Sequence, residues 1–311
     1  MKITRMDLAD KGSPEAIVAE ILKVESDLAV PVPIEDLSRH LDIIDIAALT
    51  TDGFEGGLLT DRERSNGIVL VKTGVSRQRR RFTIGHELGH FLMPSHVPND
   101  DRGFLCAAAD LACFDPRETD RRKRMEVDAN RFSSLILMPP PTLNRDLART
   151  SDPSIENMLL LAKKYDVSKE AMARAYSNYH HEAVAFVVVR DGKVVRVYRN
   201  ERTFPFVTAA RGRAVPERSL FYRRGHRVGT PSDVLSCFPD LWIDVERGRK
   251  APLLCEQICL QANGFALIML WYQSEDDEDF DPDAERTAKD RLRERQGRRF
   301  TERTVGSGSN L

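Results

Sequence analysis

The stretch Phe82-Thr-Ile-Gly-His-Glu-Leu-Gly-His-Phe91 contains two histidines four residues apart and a glutamate after the first, at His86, Glu87 and His90. Residues four apart lie on one face of a helix, so two imidazole nitrogens at this spacing can bind one metal ion. Glu87 lies beside that face, where its carboxylate can take a proton from a water that attacks a carbonyl. The motif therefore predicts a metal site with His86 and His90 as ligands and Glu87 as general base.

The residues around the motif favour the helix that this chemistry requires. Ser76 is a candidate N-cap, the segment 77–93 contains no proline, and Pro94 closes it. Apolar residues flank the two histidines. The alternative interpretation is two surface histidines at helical spacing, which does not account for these apolar neighbours. We therefore expect a helix whose metal-binding face is covered by apolar side chains.

A catalytic zinc site needs three protein ligands and one open position, so a third ligand is expected elsewhere in the chain. His96 is one candidate by its distance from the motif, although Met93 stands where that pattern requires glycine. Glu126 is the other candidate, in a second predicted helix that ends before Pro139. Asn130 shares a face with Glu126, so one can bind the metal while the other hydrogen-bonds a liganding histidine.

Three motifs in this order resemble the ImmA/IrrE family of bacterial metallopeptidases, and the resemblance runs over about residues 14–179. The motifs are Pro31-Val-Pro-Ile-Glu-Asp-Leu37, Arg81-Phe-Thr-Ile-Gly-His-Glu-Leu-Gly-His90, and Glu126-Val-Asp-Ala-Asn-Arg-Phe132 with Leu137-Met-Pro139. The family usually has alanine at the positions of Gly85 and Ser133. Because all these residues are small, the departure does not change the expected site.

The resemblance implies a zincin-like metallopeptidase with a zinc ion as its cofactor. It implies that His86, His90 and Glu126 are the metal ligands and that Glu87 is the catalytic general base. It also implies a protein substrate, a transcriptional repressor whose cleavage releases genes of a stress response or of a mobile element.

The pattern along the chain predicts an α+β protein in four parts. These are a zincin-like metallopeptidase domain with a small sheet and an active-site helix at 1–150, a helical segment at 151–180, a second, sheet-containing α/β domain at 181–273, and a charged, partly disordered tail at 274–311. The second domain begins with a hairpin signal, since two apolar runs flank Asp191-Gly192. It carries no specific motif, so what it binds does not follow from its sequence.

Within the first part we expect an amphipathic helix at 14–30, followed by apolar runs at 42–48 and 67–72, of which Ile68-Val-Leu-Val71 is expected to be a buried strand. The segment 56–72 is the candidate for the edge strand that holds an extended substrate by main-chain hydrogen bonds, with plain scaffold as the alternative. Residues 95–117 are expected to form a long loop between the two ligand helices that can cover the cleft.

The helical segment has the outline of a helix-turn-helix, since two helical stretches within 154–178 are separated by Asp166-Val-Ser168. Its second stretch offers only Lys169 and Arg174 as basic groups, which is few for phosphate contacts. We therefore expect this segment to pack on the peptidase domain, with DNA binding as the alternative.

Composition limits the remaining function classes. The net charge of −1 gives no overall attraction to nucleic acid. No apolar run is long enough for a membrane span and no signal core is evident, so a cytoplasmic location without membrane contact is expected. The five cysteines are odd in number and irregularly spaced, which argues against a disulfide framework, and Cys255 and Cys259 are expected to be buried thiols.

Two function classes remain besides a zinc endopeptidase. One is a DNA-binding regulator and the other a protein-interaction module, each with a non-catalytic metal site. Glu87 argues against both, because a purely structural metal site has no use for a general base beside an open ligand position.

Overall fold

The computed structural model describes residues 1–61, 63–97, 103–112, 114–115, 118–150, 152–245 and 252–273. These residues fall into two compact units, Met1–His181 and a second unit that begins at Glu182. The expected tail at 274–311 lies outside the described residues. The described chain is mixed α+β with two sheets, as the sequence predicts. None of its helices combines the length and the apolar character that a membrane span requires.

The first unit places a four-stranded sheet among helices. Its elements are α1 (Arg5–Leu8), α2 (Pro14–Val24), α3 (Ile34–His40), β1 (Ile43–Leu49), β2 (Gly56–Thr60), β3 (Gly67–Lys72), α4 (Arg77–Leu92), β4 (Gly103–Cys106), α5 (Arg121–Leu137), α6 (Pro140–Leu147), α7 (Ile155–Tyr165) and α8 (Lys169–Tyr179). The strand order is β1-β3-β2-β4, with β1 parallel to β3 and the other pairs antiparallel. Helix α4, which carries the histidine motif, follows directly after the central strand β3.

Residues 83–92 of helix α4 are all buried because the helix packs on β2 and β3 and also on α5. Its contact with α5 is close because small residues face each other. A Cβ added to Gly85 would lie 2.7 Å from Ser133 Oγ, and one added to Gly89 would lie 3.1 Å from the Phe132 ring. Ser133 Oγ also donates a hydrogen bond to the carbonyl oxygen of Phe82, at 2.8 Å. The two predicted ligand helices therefore lie at backbone contact distance.

The amphipathic helix expected at 14–30 is shorter than predicted, since α2 ends at Val24. Glu25, the next residue, leaves the helical region of backbone space with φ −102° and ψ 62°. Its carboxylate accepts hydrogen bonds from the backbone N–H groups of Lys2 and Ile3, the latter at 2.9 Å. The helix therefore ends where a side chain fastens the N-terminal segment, a pairing between distant residues that periodicity does not reveal.

The prediction that 56–72 forms an edge strand is wrong, because β2 and β3 are both interior strands. Strand β4 pairs with β2 on one side and β1 pairs with β3 on the other, so β1 and β4 are the outer strands of the described sheet. The error arose because β4 lies within 95–117, which the composition of glycine, aspartate and proline predicted to be a loop. Only pairing with β2 makes this short segment a strand.

The turn between α7 and α8 is bound to the beginning of α4. Asp166 lies in this turn with φ 51°. Its carboxylate accepts a hydrogen bond from Gln78 Nε2 at 2.8 Å and forms an ion pair with Arg77 Nε at 2.6 Å. On α8, the Arg174 guanidinium lies over the Phe114 ring at 3.6 Å. These contacts are those of packing within the first unit, and DNA binding by this segment stays an untested alternative.

The second unit is built on a five-stranded antiparallel sheet. Its strands are β5 (Ala183–Arg190), β6 (Lys193–Arg199), β7 (Leu235–Cys237), β8 (Leu253–Leu260) and β9 (Phe265–Gln273), in the order β6-β5-β9-β8-β7. Asp191 and Gly192 have φ of 50° and 74°, as a type I′ turn requires, so the predicted hairpin is confirmed. Cys255 and Cys259 are free buried thiols on β8, as expected.

Arg64 closes the C-terminal end of α4, a role that sequence patterns did not indicate. Its Nη1 donates hydrogen bonds to the carbonyl oxygens of His90, Phe91 and Met93, at 3.2, 3.2 and 2.6 Å. The last carbonyls of a helix lack partners within the helix, and a cation placed there also interacts favourably with the helix dipole. This side chain therefore stabilises the end of the helix that carries His90.

We expect Arg64→Ala to destabilise the first unit by about 1–3 kcal/mol, because it leaves these carbonyls without their charged donor. Urea unfolding monitored by circular dichroism measures this loss. Arg39→Ala is the matched control, since the Arg39 side chain is 53% exposed and its ion pair with Glu35 spans 3.7 Å. The control should cost less than about 0.5 kcal/mol. Equal stability of the two variants would contradict the role of Arg64.

Candidate metal centre

Three of the predicted site residues converge on one point between α4 and α5. The distance from His86 Nε2 to Glu126 Oε2 is 3.1 Å, that from His90 Nε2 to the same oxygen is 3.4 Å, and the two Nε2 atoms are 3.1 Å apart. Ligand atoms that lie about 2.0–2.2 Å from a tetrahedral zinc ion are about 3.3–3.6 Å from one another. The three atoms therefore form a triangle of nearly the size that one bound zinc ion requires.

The hydrogen bonds of His86 show that these atoms suit a cation. Asn130 Nδ2 donates to the carbonyl oxygen of Asp110 at 2.8 Å, so its Oδ1 faces His86 Nδ1, 2.9 Å away, and accepts a hydrogen bond from it. With its proton on Nδ1, a neutral His86 turns a lone pair of Nε2 toward Glu126 Oε2. That oxygen has no hydrogen-bond partner among the described residues. Two facing acceptors repel each other unless a proton or a metal ion lies between them.

A proton and a metal ion therefore compete for this position. Burial alone would lower the pKa of His86, but the Glu126 carboxylate raises it above its usual value. Burial lowers the pKa of His90 to about 4, which leaves that ring neutral and able to bind a metal at neutral pH. The donor set of two imidazoles and one carboxylate is that of a catalytic zinc site, so the residues present fit the metal that the sequence predicts.

The sequence left open which of Glu126 and Asn130 binds the metal and which hydrogen-bonds a histidine. In the structure Asn130 hydrogen-bonds His86. It is fully buried, and its hydrogen bond to Nδ1 holds the His86 ring with Nε2 directed at the centre. Such outer partners fix the orientation and the tautomer of a liganding histidine. Asp128, two residues before Asn130, forms instead a surface ion pair with Arg124, at 3.4 Å, and does not reach the centre.

His96, the alternative third ligand, lies on the opposite side of the His90 ring. Its Nδ1 is 2.9 Å from His90 Nδ1, whereas the converging atom of His90 is Nε2. Burial lowers the pKa of His96 to about 2, so the ring is neutral and can accept the Nδ1 hydrogen of His90. The structure therefore brings His96 to the position of an orienting partner for His90.

Glu87 lies beside the triangle and is completely buried. Its Oε1 has no hydrogen-bond partner among the described residues. A Cβ added to Gly56 of β2 would lie 2.7 Å from this oxygen, so only glycine leaves room for it. Burial raises the pKa of Glu87 to about 7, and a bound cation would lower it again. The geometry thus leaves one carboxylate oxygen available for proton transfer.

Strand β4 supplies two further residues that sequence patterns did not identify. The Phe104 ring stacks on the His90 ring, with centroids 4.5 Å apart. The sulfur of Cys106 lies 3.9 Å from His90 Nε2 and 3.8 Å from Glu87 Oε2. Burial raises the pKa of the Cys106 thiol well above its usual value, which argues against an activated cysteine nucleophile. Neither residue has a spacing to the motif that could have revealed it.

Comparison with known proteins agrees with the site. Residues 43–177 match the Peptidase_M78 family model, described as the IrrE N-terminal-like domain. The Radiation response metalloprotease IrrE of Deinococcus radiodurans is 27% identical to this chain over 132 residues, which are 42% of this chain and 37% of that protein. The match thus spans little more than a third of the relative's length, and the matched domain contains all the converging residues.

A solved structure extends the likeness beyond this domain. It is that of a Mycobacterium tuberculosis transcriptional regulator, with a TM-score of 0.51 and 14% identity over 82% of this chain and 74% of that one. At this identity the likeness concerns the fold alone. Its coverage exceeds the length of the first unit, so the similarity in fold also includes part of the second unit.

We expect Asn130→Ala to weaken zinc binding about 10–100-fold, because His86 loses the acceptor that fixes its tautomer and ring orientation. Competition with a chromophoric zinc chelator measures the affinity, and circular dichroism verifies the fold. Asp128→Asn is the control on the same helix, and it should bind zinc as wild type does, because its carboxylate faces Arg124. Unchanged affinity in Asn130→Ala would show that the hydrogen bond does not support the metal.

Proposed function

Because the chain belongs to the ImmA/IrrE family through its IrrE N-terminal-like domain at residues 43–177, we propose that it is a zinc-dependent endopeptidase that cleaves a protein substrate. The observation that carries this proposal is the pairing of two features in one buried centre. His86, His90 and Glu126 converge as three metal donors, and Glu87 lies beside them with an unpartnered oxygen. Ligands alone would fit a structural metal, whereas the additional base fits hydrolysis.

In the proposed reaction the residues divide the tasks between binding and proton transfer. A bound zinc ion supplies Lewis-acid chemistry, since it polarises a carbonyl and makes water a stronger acid. Glu87 accepts a proton from the attacking water and passes it to the leaving nitrogen of the peptide bond. Asn130 and His96 hold the rings of His86 and His90 in the orientation that directs both Nε2 atoms to the centre.

The substrate proposed here is a transcriptional repressor whose cleavage releases genes of a stress response or of a mobile element. This proposal rests on the family resemblance and on the relative in Deinococcus radiodurans, which is named a radiation response metalloprotease. A repressor encoded beside the gene of this protein is the first substrate to test. No feature of the described site selects one cleavage sequence.

A second function has one observation in its favour. The Cys106 sulfur lies close enough to the centre to be a fourth donor, and a closed four-donor set is typical of structural zinc sites. In that case the chain would be a DNA-binding or protein-interaction regulator with a non-catalytic metal site. Substitution of Glu87 separates the two functions, because a structural site does not depend on the base.

We expect Glu87→Gln to keep the fold and the zinc while peptide cleavage falls about 10²- to 10⁴-fold, since the amide cannot accept the proton of water. Purified protein is incubated with the neighbouring repressor, cleavage is followed by mass spectrometry, and zinc is measured by metal analysis. Glu35→Gln is a surface control, because Glu35 pairs with Arg80 at 3.0 Å on the surface of the unit. Equal regulation of all target genes by wild type and Glu87→Gln in cells would refute the peptidase proposal.

A further inference from the structure

Cys106 is held at the metal centre by the pairing of β4 with β2. It is opposite Gly56 in the antiparallel register, and its carbonyl oxygen accepts a hydrogen bond of 2.9 Å from the backbone N–H of Glu55. The side chain is 1% exposed. Beyond the strand, Asp110 binds the backbone of Ala107 through its carboxylate, at 2.8 Å. The thiol is therefore fixed by backbone contacts on both sides and points into the centre.

The sulfur lies at nearly the distance of a metal donor. His86, Glu87, His90 and Cys106 all offer ligand atoms within 4.8 Å of one another. For a tetrahedral zinc ion with Zn–S of about 2.3 Å and Zn–N of about 2.0–2.1 Å, sulfur and nitrogen are about 3.5 Å apart. The observed separation of 3.9 Å from Cys106 Sγ to His90 Nε2 is only slightly longer.

A buried carboxylate oxygen beside the sulfur points independently to a ligand at this place. Glu87 Oε1 has no hydrogen-bond partner within the described parts of the chain, and Glu87 is 0% exposed. An unpaired carboxylate oxygen of this kind is costly unless a cation compensates it. It belongs to the buried group in which sulfur, nitrogen and oxygen donors lie within 4.8 Å of one another.

We propose that Cys106 is a fourth metal donor, which closes the centre in a latent form of the enzyme. The inference rests on the proposed peptidase function, because only an enzyme needs the fourth position open. Cys106 binds as a thiolate, and its proton is released to solvent when the metal binds, as for thiol ligands in general.

Closure by Cys106 blocks catalysis because the sulfur occupies the position that water or a substrate carbonyl needs. Activity returns when the sulfur leaves the metal and the thiol takes up a proton from solvent.

Cobalt(II) in place of zinc tests the coordination without any assay of activity. We expect the full chain loaded with one equivalent of cobalt(II) to show the near-ultraviolet charge-transfer band of a sulfur–cobalt bond. Cys106→Ala should lose this band and bind cobalt(II) at least about tenfold more weakly, as loss of a donor should cost no less than loss of an outer partner. Cys113→Ala and Cys255→Ala are the cysteine controls and should keep the band.

Two outcomes of this measurement would overturn the proposal. One is cobalt-loaded wild type without a sulfur band, a result that does not depend on whether any variant folds. The other is a band that persists in Cys106→Ala and disappears in Cys113→Ala or Cys255→Ala. Circular dichroism of each variant identifies loss of fold as a separate cause.

Access to the fourth position tests latency. Acetohydroxamate, a small metal chelator, should bind the cobalt-loaded Cys106→Ala protein at least about tenfold more tightly than wild type, because no sulfur has to be displaced. Equal affinity would refute closure of the centre by Cys106.

The outcomes also separate this proposal from that of the peptidase function. A sulfur band without cleavage by any form would leave Cys106 as a donor in a structural site. Cleavage that depends on Glu87, together with an absent band, would keep the peptidase and reject the fourth donor.

Discussion

The close approach of α4 and α5 is the constraint on which the metal centre depends. Gly85 and Gly89 leave no side chain between the helices, so the backbone of α4 contacts Ser133 and Phe132 of α5 directly. At this separation Glu126 Oε2 lies 3.1 and 3.4 Å from the Nε2 atoms of His86 and His90 on α4. A larger side chain at either glycine would push the helices apart and would move the carboxylate away from the imidazoles, so the small residues are part of the site although they bind nothing.

The buried carboxylates of the centre link its charge to the stability of the fold. Glu87 and Glu126 are buried together, and the three converging atoms of the centre are all ligands that favour a cation. Two buried carboxylates with neutral imidazoles leave two negative charges, which one divalent ion balances. Without the ion, a buried centre takes up protons, as the raised pKa values of Glu87 and His86 indicate. A metal ion bound at this centre would therefore be coupled to the stability of the packed helices.

Local sequence patterns were sufficient to predict the two helices that carry the candidate ligands. They were insufficient to predict the elements packed around those helices. The helices of His86 and Glu126 follow from caps, prolines and spacing, which act within a few residues. Strand β4, the Arg64 cap of α4 and the contact of Asp166 with α4 each depend on residues distant in sequence. Strand β4 and the Cys106 thiol therefore lie within 95–117, which was predicted to be a loop. The predicted edge strand at 56–72 is instead formed by two interior strands. Which nitrogen of the His90 ring faces Glu126 and which faces His96 depends on the direction of that ring, which spacing cannot supply.

The surroundings of Glu87 are the main support for the proposed catalytic centre over a structural one. A structural site with four donors would gain nothing from a fifth polar group, and burying an unpartnered carboxylate oxygen costs free energy. Yet Glu87 is completely buried, and β2 has a glycine at position 56 where any other side chain would collide with it. The same strand pairing brings Cys106 to within 3.8 Å of this carboxylate. In the proposed enzyme the buried Glu87 serves as the base once the Cys106 sulfur leaves the centre, whereas a structural metal site would give this carboxylate no role.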